Sequence, residues 1–586
     1  MESFSWKILC KDPIKIRHEF NLLISRSKIA RDMILTINPN TKKKCNEIIE
    51  LLADDTFEFN TFHSLSKLLK LVSDDSLIRQ LWSHIDNILT ENADRYNCDV
   101  EIYKTLSKIP RQNLEQSDHK FIEKIISCYI KNGINDKTYN TLKNIKTYET
   151  QLLENPSDCK IFHKLLKFRH LYSNLLNHDN YMEVKSHIDI SHLLNILKKI
   201  IVKSNDLCYK ELSQINKFYG KSKIDVTEIE TFINKSLWEF PLDLDMTLTN
   251  IFDIICDIFL IDIININKSN KSNKSDKTNK SNTINISNTT WSDDCDLYVV
   301  KKNNEIYGHI YVDMKKREGK INKVVSINLN EGVVYPYDNN IIKNPVTVII
   351  GNYDGNINYK DVIDIFRELG NIIHILFVRS KFGLHLEQDM TTIMSNLFEH
   401  IACDIDNIKK ISNKYYQNID NIIMLDNGFK VKSKCVNVLY DYYVHSQENI
   451  NNNLLDKYNE IMKYVFNKSY ELITPLKHIP YSVICELIFN GGILYTDINN
   501  MILTFNLYNI IKNNPCLITG FIDDVLKNND SFKISLYKFI ESNNNNDFYC
   551  GLKNIEYSIS DINLDKLSED FKKISHSDHT NYFTER

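Results

Sequence analysis

The chain has 586 residues, with 72 basic and 76 acidic side chains and a formal net charge of −4. This balance, without a long basic block, gives no attraction to nucleic acid or to an anionic membrane, so neither is expected as a partner. The thirteen cysteines form no C-x-x-C pair, and the first residues lack the apolar core of a signal peptide. Both features predict a cytoplasmic protein with reduced thiols. The abundance of Asn, Ile and Lys indicates an AT-rich genome, such as that of a large DNA virus or a protist.

The N-terminal part of the chain is predicted to be helical. Apolar residues recur at helical spacing from Pro13 to about Phe240, and Pro and Gly are rare. We therefore expect a helical scaffold of antiparallel hairpins. Gly220-Lys221-Ser222 matches the end of a P-loop, but the first glycine of that motif is absent. Gly220 is therefore predicted to end a helix.

The most apolar run, Ile251–Ile266, is interrupted by three aspartates at four- and five-residue steps. This spacing predicts the solvated edge of an amphipathic helix and not a membrane span. Residues 265–290 are then rich in Asn, Lys and Ser, with almost no apolar side chains. Such a segment buries too little surface to offset ordering entropy, so we predict a disordered insertion without a role. A tether for a partner is the alternative.

The β-strand signals are concentrated after this insertion. Leu297–Lys301 and Ile306–Asp313 alternate apolar and polar residues, which predicts a hairpin around the turn between them. Val324–Leu329 and Val346–Gly351 would complete a small sheet. Helical periodicity resumes at Tyr359 and continues toward the C-terminus.

The helix that follows Tyr359 contains Arg367-Glu368-Leu369-Gly370-Asn371. In the H-E-x-x-H signature, two His at i and i+4 bind zinc and the Glu acts as general base. Here Glu368 keeps the position of the base. Arg367 cannot ligate a metal because its guanidinium is never deprotonated, and Asn371 offers a neutral amide.

The neighbouring segments resemble the thimet oligopeptidase and neurolysin family of zinc endopeptidases. Residues 305–320 look like "Y-L-D-L-Y-x-R-E-G-K", Pro345–Asn352 like "P-V-A-A-L-V-x-N-F", and Tyr359–Phe366 like "H-D-E-V-x-T-x-F". The resemblance implies a mainly α, large helical two-lobed fold with a deep channel. Residues 1–204 would form an N-terminal helical lobe, and residues 205–586 would form a catalytic-like lobe. The resemblance further implies one small β-sheet beside the metal-site helix, with residues 291–401 as a degenerate metallopeptidase core.

The resemblance also assigns roles to individual positions. The family's pattern "D-F-V-E-x-P-S-Q-x-x-E-N-W" aligns with residues 389–401, where the ligand Glu is replaced by Thr392. The three ligand positions of the family are therefore occupied by Arg367, Asn371 and Thr392. The positions that surround the metal in the family are His374, Asp389 and Glu399. We predict that the Arg367 guanidinium pairs with Glu399 or Asp389 in place of a metal. An Arg367 that points to solvent is the alternative.

A weaker resemblance lies near the C-terminus. Glu486–Ile493 is similar to "G-H-L-x-x-G-G-Y", which binds substrate in the family. The corresponding positions are Leu487, Gly491, Gly492 and Ile493. Because the His and the Tyr of that pattern are replaced, peptide binding is expected to differ from that of the family.

These substitutions predict a catalytically inactive relative, a pseudopeptidase without zinc or another cofactor. It would act as a binding or structural scaffold for an unidentified protein partner or a peptide. The alternative is an active zinc metalloendopeptidase that cleaves short peptides with a rebuilt metal site, for which His374, His385 and Glu387 are nearby donors. A third interpretation is an unrelated helical protein, which would lack a sheet beside helix 359–377.

Overall fold

The computed structural model describes residues 12–96, 99–133, 136–185, 190–238, 241–266, 290–335, 341–382, 390–412, 419–446, 453–527 and 532–543. Most of the predicted insertion lies outside these residues, as do His385, Glu387 and Asp389. No helix in the described ranges is long and apolar enough to span a bilayer.

Helices form most of the structure. The α-helices are Pro13–Thr36, Lys42–Val72, Ser76–Tyr96, Val100–Ser107, Gln116–Asn132, Asp136–Glu154, Cys159–Leu175, Tyr181–Lys185, Ile190–Lys203, Asn205–Tyr219, Val226–Trp238, Leu244–Phe259, Tyr359–Phe377, Ile393–Ala402, Ile405–Ser412, Ile419–Ser446, Leu454–Phe466, Tyr481–Asn490, Tyr495–Asn513, Leu517–Gly520 and Phe532–Asn543. Arg111–Asn113 and Asn467–Leu472 are 3₁₀ turns, and Phe521–Leu526 is a π-helical turn. The predicted helical N-terminal part is confirmed. Gly220 ends its helix in the left-handed region at φ 63°, as expected for a C-cap.

In the described ranges, nine strands make up three sheets. They are β1 (Leu242–Asp243), β2 (Asp262–Asn265), β3 (Asp296–Lys302), β4 (Glu305–Lys315), β5 (Val325–Asn330), β6 (Val333–Tyr335), β7 (Ile341–Lys343), β8 (Val346–Tyr353) and β9 (Asn356–Ile357). The main sheet has the order β2-β3-β4-β8-β5, with β4 and β8 parallel and the other pairs antiparallel. β1 pairs with β9, and β6 pairs with β7. The predicted hairpin is confirmed, since Asn303 and Asn304 both have positive φ, as a tight two-residue turn requires.

One predicted helix is wrong at its C-terminal end. The helix ends at Phe259, Leu260 adopts a left-handed φ of 54°, and the chain continues as β2. Residues 262–265 pair with β3 along their whole length. The run of isoleucines suits a helix or a strand. It forms a strand here because β3 offers an edge with which it can pair.

The segment Arg317–Lys320, which follows β4, has a structural role. Asp313, at the end of β4, is fully buried and accepts two hydrogen bonds of 2.7 Å from Arg317. The Lys320 ammonium lies 2.6 Å from the same carboxylate, and the Trp291 indole donates to it at 2.7 Å. Burial favours the neutral acid, but the two cations outweigh it and lower the pKa of Asp313. This cluster fixes the turn between β4 and β5.

The main sheet separates two apolar cores. One face packs against the N-terminal helices. In this core, Phe62 and Trp82 of the helices cluster with Tyr311 and Val348 of the sheet. The other face packs against the helix Tyr359–Phe377, as Ile310 and Ile349 belong to the same cluster as its Phe366 and Ile373. A sheet beside this helix is what the predicted fold requires, and an unrelated helical protein would lack it.

Candidate functional site

The helix Tyr359–Phe377, here named the site helix, begins at a well-defined cap. The Asn358 side chain accepts from the backbone N–H of Asp361, whose carboxylate accepts from the N–H of Asn358 in return, both at 2.9 Å. The Tyr353 hydroxyl donates to Asp361 at 3.1 Å. This capping box ties the start of the helix to β8 and fixes the direction in which the helix leaves the sheet.

The site helix crosses the helix Ile393–Ala402 at Gly370. A Cβ atom at this position would lie 2.5 Å from the carbonyl oxygen of Met394 and 3.0 Å from the ring of Phe398. Only glycine permits this approach, because any side chain would overlap the neighbouring backbone. The close crossing brings Glu399 to the side of Arg367.

The predicted pairing of Arg367 with Glu399 is confirmed. Nη1 of Arg367 donates to Oε2 of Glu399 at 3.2 Å, and Nζ of Lys430 donates to Oε1 at 2.7 Å. The side chains of Arg367 and Lys430 are each 42% exposed, whereas that of Glu399 is 19% exposed. A carboxylate therefore lies between two cations from different helices. The predicted alternative partner, Asp389, lies outside the described residues.

These cations control the ionisation of Glu399. Burial alone would raise the pKa of its carboxyl group, but the charges of Lys430 and Arg367, the hydrogen bond from Lys430 and the charge of Lys434 lower it to about 2. Burial in turn lowers the pKa of Lys434. Glu399 is thus ionised throughout the physiological range.

Glu368, which the family resemblance assigns as the general base, is held by the sheet. Its Oε2 accepts from the backbone N–H of Ser326 at 2.9 Å and also from the Ser326 hydroxyl. The amide of Asn371 lies 3.5 Å from the same oxygen. Because Ser326 lies on β5, an edge strand of the main sheet, Glu368 satisfies an N–H that β8 does not use.

His374 and Thr392, two further residues of the predicted site, make contacts typical of a protein interior. His374 is 3% exposed with its ring 4.8 Å from that of Phe532, and burial lowers its pKa to about 3. A neutral imidazole in an apolar core results. Thr392 precedes the first residue of its helix, and its hydroxyl accepts from the amide of Asn500 at 2.8 Å.

The predicted C-terminal segment is held by an arginine of the N-terminal part. Arg169, which is 1% exposed, donates to the carbonyl oxygens of Leu487 and Ile488 at 2.8 Å each and to Glu149 at 2.9 Å. A Cβ atom at Gly491 would lie 2.4 Å from Nη1 of Arg169, so only glycine fits there. Leu487 and Ile493 are buried apolar side chains.

Asp441 holds the other end of this segment. Its carboxylate accepts from the backbone N–H of Gly492 at 2.8 Å and of Leu494 at 3.1 Å. Nδ1 of His445 lies 2.7 Å from the same carboxylate, and its Nε2 lies 2.9 Å from Nη1 of Arg169. Sequence reasoning missed this buried network because its members are up to 319 residues apart.

A polar cavity of about 420 Å³ adjoins the site helix. It is lined by residues that lie before β5, by the last residue of β8, and by the cap and N-terminal half of the site helix: Asn322, Lys323, Val324, Tyr353, Asn358, Lys360, Asp361, Asp364, Arg367 and Glu368. Burial raises the pKa of Asp364, although Arg367 and Lys360 oppose this. The cavity therefore opens beside Arg367 and Glu368.

The residues that the family resemblance assigns to the three ligand positions do not have the chemistry of zinc ligands. Zinc sites in proteins use Cys, His, Asp and Glu, whereas these positions hold Arg367, Asn371 and Thr392. Within the described ranges, no group of three or more such side chains is placed to hold a metal. Two nearby side chains could donate to a metal, but both have other contacts. His374 packs against Phe532 in an apolar core, and Glu399 is bound by Arg367 and Lys430.

Solved structures of helical peptidases share this fold. PZ peptidase A, determined with an inhibitor, has a TM-score of 0.55 at 10% identity, covering 92% of this chain and 98% of that one. A carboxypeptidase of Pyrococcus furiosus gives 0.53 at 9% identity, covering 89% and 99%. An oligoendopeptidase F gives 0.52 at 10% identity, covering 93% and 97%. The predicted fold class, a mainly helical oligopeptidase fold with a small sheet, is thereby confirmed.

The family model of peptidase family M3 matches residues 141–489. The chain belongs to this metallopeptidase family. A curated relative, "Probable thimet oligopeptidase" of Arabidopsis thaliana, is 28% identical over 142 residues, which are 22% of this chain. That match spans only 20% of the relative's length.

Proposed function

We propose that this chain is a catalytically inactive member of its peptidase family, retained to bind a peptide or a protein segment. One observation supports the proposal: the guanidinium of Arg367, which the family resemblance assigns to the first ligand position, pairs with Glu399. The permanent positive charge of Arg367 repels a metal ion. Lys430 binds the other oxygen of Glu399, so this carboxylate is not free to hold a metal.

The chemistry of hydrolysis supports the same conclusion. In metallopeptidases the metal polarises the carbonyl and activates a water, which the Glu deprotonates. Structural zinc binding is worth on the order of 10 kcal/mol, shared among about four ligands, so replacement of three should abolish it. Glu368 would then have no activated water to deprotonate, and its contacts with Ser326 give it a structural use.

The remainder of the proposal concerns the binding role. Two lobes, residues 1–204 and 205–586, would enclose the bound segment in the cytoplasm. The cysteines support this compartment, since ten of them are free thiols in the part of the chain that the structure describes. The partner is proposed to be a peptide or protein, since the fold belongs to a family of peptidases.

The test is the zinc content of the purified protein after dialysis against trace zinc, measured by elemental mass spectrometry. It is combined with hydrolysis of a quenched fluorescent peptide mixture, and Glu368→Gln serves as the matched variant. We expect near-zero zinc and no hydrolysis that differs between the two proteins. Stoichiometric zinc together with hydrolysis that Glu368→Gln abolishes would overturn the proposal and establish an active zinc metalloendopeptidase with a rebuilt site.

A further inference from the structure

Two cations contact one carboxylate beside the site helix, and the charge of a third acts on it. Arg367 and Lys430 contact Glu399 directly, at 3.2 Å and 2.7 Å, and the charge of Lys434 also acts on it. Lys430 and Lys434 are one turn apart on the helix Ile419–Ser446, so they lie on the same face. Glu399 carries one negative charge, and the three basic side chains together carry three positive charges.

Arg367 and Lys434 have donors to spare among the described residues. A guanidinium has five N–H groups, and one hydrogen bond, to Glu399, is found for Arg367. Lys434 makes neither a hydrogen bond nor an ion pair with a described residue, although it is largely shielded from solvent. Two acids act from further away, since Asp497 attracts Lys434 and Asp364 interacts with Arg367 from the side of the cavity.

We infer that Arg367, Lys430 and Lys434 form a binding site for a carboxylate of the bound peptide. The inference rests on the proposed function, from which it takes the peptide nature of the ligand. A carboxylate has two oxygens in one plane, which match the paired donors of a guanidinium and accept from ammonium groups nearby. The carboxylate comes either from the C-terminus of the peptide or from an Asp or Glu side chain.

The test compares three peptides immobilised through N-terminal biotin. All share one apolar hexapeptide sequence: the first ends in a free carboxylate, the second in a carboxamide, and the third in a carboxamide with one internal glutamate. Binding of the full chain is measured by biolayer interferometry. At least one acidic peptide is expected to bind about tenfold more tightly than the neutral peptide, and added salt should reduce the difference. Which acidic peptide binds identifies the source of the carboxylate.

The matched variants are Lys434→Met and Lys104→Met. Lys104 lies on the helix Val100–Ser107, where it pairs with Glu101 at 2.8 Å, and its loss should leave the preference intact. Lys434→Met should abolish the preference, and Lys434→Arg, which keeps the charge, should retain it. The Lys434→Arg variant separates loss of charge from loss of folding.

The outcomes distinguish the inference from the function on which it rests. Equal binding of neutral and acidic peptides, or a preference that survives in Lys434→Met, overturns the inference and leaves peptide binding in place. Failure of all three peptides to bind overturns both.

Discussion

The guanidinium of Arg367 and the carboxylate of Glu399 lie 3.2 Å apart and join two helices that cross at Gly370. Arg367→Met keeps most of the aliphatic packing and removes the charge. Because Arg367 is 42% exposed and Lys430 remains, we expect a loss of about 0.5–1 kcal/mol in the free energy of unfolding. Urea unfolding checks this, with Arg26→Met as the control, since its pair with Glu58 is far more exposed. An unchanged stability would contradict a role for this pair.

The ionisation of Glu399 predicts a dependence of stability on pH. Its folded pKa of about 2 lies below the ordinary value of 4.5 for a glutamate, so its contribution is complete above about pH 4.5 and is lost as the pH falls toward 2. A shift of this size corresponds to a contribution on the order of 3 kcal/mol. In Lys430→Met the largest opposing charge is absent, and stability should fall less steeply over this window. Urea midpoints measured across the window test the slope, and equal slopes in both proteins would refute the prediction.

The assignment of the three ligand positions predicts that a metal site can be restored. The triple variant Arg367→His, Asn371→His, Thr392→Glu should bind close to one zinc per chain, because two His at i and i+4 and a third donor then face one point. Elemental mass spectrometry after dialysis measures the stoichiometry. The single variant Thr392→Glu is the control and should bind none. A triple variant without zinc would show that the residues were assigned in the wrong register.

The contact between Gly370 and Met394 predicts a large effect of one methyl group. Gly370→Ala would place Cβ 2.5 Å from the Met394 carbonyl oxygen, and the helices must separate. We expect a loss of about 1–3 kcal/mol, since overpacking has costs of this order. Gly520→Ala is the matched control, because the nearest atoms to its Cβ are 3.8 Å away and alanine favours a helix by about 0.5–1 kcal/mol. Thermal unfolding of both variants decides the matter, and equal melting temperatures would argue against the close crossing.

The buried Arg169 predicts the most severe destabilisation. Arg169→Met leaves the carbonyl oxygens of Leu487 and Ile488 without their donor and Glu149 without its cation. Breaking such a buried pair has costs of about 3–5 kcal/mol. Glu149→Gln, which keeps an acceptor at the half-buried end of the network, should lose less than half as much. Denaturant midpoints of the two variants test this prediction. A lower midpoint for Glu149→Gln than for Arg169→Met would contradict the role of Arg169 in this network.

The sequence specified local features of the site more fully than its long-range contacts. The start of the site helix and the turn at Asn303-Asn304 follow from capping and turn chemistry within a few residues. The partner of Arg367 could be narrowed to Glu399 or Asp389 because they follow on the next segment of the family's pattern. Lys430 was missed because a lysine on a helix face is commonly solvated, and only packing places it against Glu399.

The sequence did not predict strand β2, because its residues fit the periodicity of a helix as well as that of a strand. Residues 262–265 contain isoleucines that suit the buried face of a helix or of a strand, and the choice depends on the unpaired edge of β3. The contact of Ser326 with Glu368 depends similarly on an edge strand whose position the sequence does not specify. Both features are set by sheet order, which is a property of tertiary structure.

The core that joins Phe62 and Trp82 with Tyr311 and Val348 limits how the protein can be divided. A fragment that began at residue 205 would present one face of its main sheet to water and would be prone to aggregation. The N-terminal fragment would carry the complementary apolar surface. Co-expression of the two fragments, and not expression of either alone, is therefore the route to a split form of this protein.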